Sequence, residues 1–149
     1  MKKYFIVLIL VIFFVVGCGN DTNINNLDIE GASKSIDKEF TNMAVIDDTQ
    51  LKVIYGLNVE LLSNYSIKSS YLNNGNFYAL IKVEEKNKKE VQNQMQKMFG
   101  IMSEQSNLYS PEAVDLINNR LETSVGDYLI YIISNDNDKY YDILKGYIK

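Results

Sequence analysis

Within the body of the chain, residues 77–81 and 128–133 are almost continuously apolar, a pattern expected of central strands buried on both faces. Each follows a more polar run across a turn signal. Residues 67–72 precede Asn73-Asn74-Gly75-Asn76, and residues 121–125 precede Gly126-Asp127. Asn-Gly and Gly-Asp between β-rich runs mark hairpins, because these residues accept positive φ. Lys68, Ser69 and Ser70 in one partner run, and Glu122, Thr123 and Ser124 in the other, suit edge strands.

Helical spacing fills the rest. Over residues 29–44 the apolar positions Ile29, Ala32, Ile36, Phe40 and Met43 form one stripe, with Asn26 or Asp28 available as a cap. Asp47 before Leu51 and Gly56 after Tyr55 bound a short helix, and residues 58–65 repeat its form with Leu61, Leu62 and Tyr65. After the first hairpin, Val91, Met95, Met98, Phe99 and Met102 share a helix face. After the second, Tyr140, Ile143, Leu144, Tyr147 and Ile148 do the same, with Asp136 or Asp138 as cap. Ser110-Pro111-Glu112 opens another short helix toward Leu116 and Ile117. Hairpin–helix thus occurs twice, a weak internal repeat. The expected fold class is α+β: a four-stranded, mostly antiparallel sheet built from two hairpin–helix (ββα) units, with N-terminal helices and undetermined strand order.

The start of the chain changes the picture. Lys2 and Lys3 precede an apolar run over residues 4–16, which is followed by Gly17-Cys18. A basic start, a short apolar core and a small residue before the cut make a secretory signal, and the run is shorter than the roughly 20 residues of a span. A lone cysteine directly after the cut is the lipobox pattern, with cleavage after Gly17 and a diacylglyceryl group on the Cys18 thiol. The expected organisation is a lipoprotein signal peptide at 1–17, an acylated N-terminus and flexible tether at 18–27, and one globular domain at 28–149. Two acyl chains give stable membrane attachment where one does not. The expected location is therefore the extracytoplasmic face of the cell membrane, reached through the lipid on Cys18.

Composition narrows the chemistry. Losing Lys2 and Lys3 takes the formal charge from −4 to −6, and no basic stripe offsets it, which argues against nucleic acid as a partner. The chain has no histidine, and its one cysteine is consumed by the anchor. The commonest general base, the commonest zinc ligands and a thiol nucleophile are thereby missing. Ser35, Ser66 and Ser69 sit in ordinary polar contexts without a lysine placed for a dyad. The carboxylate pairs Asp47/Asp48, Glu84/Glu85 and Asp136/Asp138 meet the bare requirement for glycoside cleavage, but each precedes a helix, where capping is the simpler role. Asn135-Asp136-Asn137-Asp138 has alternating oxygens, yet lacks the glycine and closing glutamate of a calcium loop. The methionine stripe is either a core face or an adaptable groove. Should helices cover only one sheet face, Tyr78, Leu80 and Tyr131 would leave an apolar patch.

Several segments together resemble a family of small bacterial lipoproteins carrying domain of unknown function 4358. They are Leu51-Lys52-Val53-Ile54-Tyr55-Gly56-Leu57 with Tyr65, the strand over 78–83, Tyr109-Ser110-Pro111-Glu112, and the run 126–134 followed by Asp136. One departure is Ile67-Lys68-Ser69-Ser70, more polar than the family pattern. The resemblance implies secretion, lipid anchoring and the fold, and carries no activity. No catalytic, cofactor-binding or metal residue is expected. The functional expectation is a non-enzymatic interaction domain with an envelope protein partner; the alternative is a small-solute or peptide-binding lipoprotein.

Overall fold

The structure, a computed structural model, describes residues 26–70 and 75–149; the signal segment, Gly17 and Cys18 lie outside them. Its elements run α1 Ile29–Glu39, β1 Met43–Val45, α2 Asp48–Val53, a 3-10 turn Val59–Leu61, β2 Leu62–Ser70, β3 Phe77–Val83, α3 Glu85–Asn107, α4 Pro111–Asn118, β4 Leu121–Val125, β5 Tyr128–Ile133 and α5 Asn137–Lys145. The α+β class holds, and the sheet is antiparallel at every pairing, in the order β1-β2-β3-β5-β4.

The sheet has five strands rather than the expected four. The helical stripe that pointed to Ala44 ends at Glu39, where Phe40 turns extended, and Asn42, at φ 62°, reverses the chain. Met43–Val45 then pairs with Lys68–Ser70. A strand of three residues is too short for alternation to register against a helical period. Residues 58–65 form no second helix either. Asn58 caps one 3-10 turn and β2 begins at Leu62. A bulge between Leu62 and Asn64 offsets the ladder there, so the apolar spacing at Leu62 and Tyr65 imitates a helix. With β1 alongside its last residues, β2 is an edge only over its first half, whereas β4 is an edge throughout.

Both central strands are buried as their sequences demand; in β3 only Lys82 is partly exposed. Side chains at alternate positions feed two separate cores. Phe77, Ala79, Ile81, Leu129, Tyr131 and Ile133 pack under Val91, Met95, Met98 and Phe99 of α3 and Ile117 of α4. Tyr78, Leu80, Tyr128, Ile130 and Ile132 pack under Ala32 and Ile36 of α1 and Leu144 of α5. Helices therefore cover both faces, and Tyr78, Leu80 and Tyr131 form no patch: none exceeds 2% exposure. Since α3 and α5 lie on opposite faces, the two hairpin–helix units are not copies of one arrangement.

The caps follow the sequence closely. Asp28 accepts from the Gly31 N–H at 3.0 Å, and Asp136 from the Lys139 N–H at 3.1 Å. Asp47 and Gln50 form a reciprocal capping box at α2. Gly56, at φ 68°, closes that helix segment. Ser110 precedes Pro111 at the start of α4, but its side chain makes no capping bond. The domain's two ends meet: Leu27 bridges Ile148, and Tyr128 donates to the Asn26 amide oxygen at 2.9 Å.

Candidate functional site

A polar cluster lies beneath α1 on an otherwise apolar sheet face. Ser33 and Asp37, four apart, share a face of α1; Ser66 and Lys68, two apart, share a face of β2; Tyr78 sits opposite Lys68 in the ladder. The Tyr78 hydroxyl donates to Asp37 at 2.9 Å and lies 2.7 Å from the Ser33 hydroxyl, which is 2.9 Å from Ser66. Because the Tyr78 proton goes to Asp37, Ser33 must donate to Tyr78 and Ser66 to Ser33. The Lys68 ammonium closes the chain on the other Asp37 oxygen at 2.5 Å. Every member is thereby satisfied.

Burial raises the Tyr78 phenol above its ordinary range, with the bond to Asp37 adding to the rise against the serine hydroxyls. Burial alone would lower the Lys68 ammonium, but Asp37 and Tyr78 outweigh it and the net direction is upward. Both groups therefore hold their protons at neutral pH. A cleft of about 400 Å³ opens beside the cluster, lined by Ser33, Lys34, Asn64, Tyr65, Ser66 and Lys68.

The tyrosines give the domain an alkaline limit. Burial raises Tyr78 and Tyr131, and burial with the bond to Asp48 pushes Tyr65 up to about 12. The folded state thus holds these protons at a pH where the unfolded chain, near 10, has released them. Stability is full below that pH and falls as pH rises through the folded values. Thermal melts from about pH 9 to pH 12 should show a falling midpoint, and Tyr78→Phe should flatten part of that fall.

The residue types singled out in the sequence are otherwise occupied. Asp47 is a cap, while Asp48 accepts the Tyr65 hydroxyl at 2.6 Å. Glu84 precedes α3 without capping it and instead pairs with Lys86 at 2.7 Å, as Glu85 does with Lys88 at 3.6 Å. In the Asn135–Asp138 stretch, Asp136 caps α5, and Asn137 accepts from Ser134 while donating to the Asn119 carbonyl. Among the described residues no group of three or more metal-ligating side chains gathers. Met95, Met98 and Phe99 are core; Met102 is half-buried. Only two polar residues, Ser33 and Asp37 on the sheet-facing side of α1, hint in the sequence at the connection to Tyr78.

A groove of about 220 Å³ separates the tip end of the β2–β3 hairpin from α3 and α4, lined among others by Tyr55, Ser69, Met102, Gln105 and Tyr109. Gly75, at φ 76°, lets the hairpin approach α4: a Cβ there would stand 3.2 Å from Ala113 Cβ and Leu116 Cδ1. Large apolar side chains stand exposed beside two of the lining tyrosines. Val53 and Ile54 precede Tyr55 at 78% and 46% exposure, and Leu108 (76%) adjoins Tyr109 (82%).

A family model described as a domain of unknown function (DUF4358) matches residues 34–134. The chain belongs to that family. The DUF4358 match runs from α1 to the residue after β5, so it takes in the sheet, the groove and Asp37, Ser66, Lys68 and Tyr78 of the polar cluster. Cys18 and α5 fall outside it. No curated protein and no solved structure matches the chain.

Proposed function

We propose that this DUF4358 domain is a lipoprotein domain tethered through Cys18 to the extracytoplasmic face of the cell membrane, where it acts by contact with an envelope protein and not by catalysis. The sequence carries the anchor: basic start, short apolar run and Gly17-Cys18. One structural observation carries the contact function. Helices cover both sheet faces, yet Tyr109, which lines the groove with Tyr55, is exposed, as are Val53, Ile54 and Leu108, which precede these two tyrosines in the chain. Exposed apolar groups gathered at a concavity are typical of contact surfaces. The carboxylates in caps and ion pairs, and the closed hydrogen-bond chain at Tyr78, support a non-enzymatic role.

A photoreactive side chain in place of Tyr109 should crosslink one discrete envelope protein in growing cells. The Leu108→Asp change should abolish that product while shifting stability by no more than about 0.5 kcal/mol, because the position is exposed. Crosslinks spread over many proteins, or unaffected by Leu108→Asp, would count against the groove.

The second reading, a small solute or peptide as ligand, draws on the polar cleft beside Ser33, Ser66 and Lys68. A true ligand raises the melting midpoint in proportion to the logarithm of its concentration.

A further inference from the structure

β4 ends the sheet with an open edge. Gly126, at φ 53°, and Asp127 make a two-residue turn, and Val125 pairs with Tyr128 across it. Pairing alternates from there, so Leu121, Thr123 and Val125 bond inward to β5, while Glu122 and Ser124 present their backbone N–H and C=O groups outward. Among the described residues no backbone bond reaches those outward groups. Leu121–Val125 has no proline, no lysine and no register shift, three of the usual protections of an edge, and its one charge is Glu122. The opposite edge, β1, is only three residues long.

We propose that β4 is a homodimerisation strand, pairing antiparallel with β4 of a second copy about a two-fold axis at Thr123. That register pairs all five residues of the strand with those of the second copy. Glu122 falls opposite Ser124 of the second copy, so the outward-facing backbone groups meet each other and no like charges oppose. Leu121 and Val125, both half-buried on the α5 face, become cross-strand neighbours, and the two Thr123 side chains meet at the axis. A register centred on Glu122 would oppose two carboxylates. One centred on Ser124 would set Glu122 against Gly126 in the turn. The Glu122 carboxylate is drawn aside by Arg120 at 2.5 Å and Gln96 at 2.8 Å, which leaves the edge clear. Such a contact is isologous and uses each β4 once, so it closes at two copies.

Full-length chain carrying Thr123→Cys, expressed in cells and mildly oxidised, should form a reducible dimer of twice the chain mass. A non-bonded antiparallel pair brings the two Cβ atoms within disulfide reach. Lys38→Cys, exposed on α1, should not dimerise. Ser124 is exposed, so its variants keep the monomer fold while placing a charge opposite Glu122 of the second copy. Sedimentation of the full chain in detergent should show Ser124→Lys tightening the dimer and Ser124→Glu weakening it, each about fivefold. The proposal fails if Thr123→Cys stays monomeric or couples only to a different protein. It also fails if the two Ser124 variants shift association in the same direction.

Discussion

Phe99→Ala should lower the unfolding free energy by about 3–5 kcal/mol, among the largest losses expected of a single side chain in the domain. Phe99 is 2% exposed at the centre of the α3-side core. Its ring meets Phe77 edge-on at 5.7 Å and Tyr131 at 5.3 Å, joining the helix to both central strands. The Arg120 guanidinium lies 4.3 Å above its outer face, bonded to the Ile117 carbonyl and to Gln96. Arg120 Nε is buried with no hydrogen-bond partner, an orientation that stacking on the ring accounts for. Alanine therefore opens a cavity and removes the face that holds a partly buried cation. Denaturant titration should show the midpoint falling with an unchanged slope. A loss below about 1 kcal/mol would mean that α3 is not seated as described.

How much of this was legible beforehand depends on the size of each signal. The two central strands were, because continuous apolar runs of that length leave few alternatives. Asp28, Asp47, Gly56 and Asp136 were, because capping and positive φ are local demands that single residue types meet. β1 was not: three residues that owe their conformation to Lys68–Ser70 carry no period of their own. Neither was the start of β2, where the bulge shifts the apolar spacing. The side on which each helix packs was also hidden. That choice depends on the path of the chain after each hairpin, and it decided whether Tyr78 and Tyr131 lay bare or buried.

The polar cluster illustrates the same division. Ser33 and Asp37 interrupt the buried stripe of α1 visibly, but their purpose depends on Tyr78 reaching them from another element. The groove at Tyr55 and Tyr109 likewise joins residues that lie far apart in the chain. By contrast, the proposed anchor rests wholly on contiguous residues and needs no tertiary contact to be read.

Cys18→Ala should have the largest effect on location. Without the thiol no diacylglyceryl can be attached, and no helix among the described residues is long and apolar enough to cross a membrane. The protein should accumulate as uncleaved precursor, its domain still folding, because both cores are built up among the described residues, all beyond 25. Unchanged processing and membrane retention in this variant would show that attachment does not depend on that sulfur.

The most direct test is mass spectrometry of the N-terminal peptide of the protein isolated from the membrane fraction. The expected product begins at Cys18 and carries a diacylglyceryl thioether, with residues 1–17 gone. A peptide that still contains Gly17-Cys18 with a free thiol would contradict the anchor, and with it the proposed place of action.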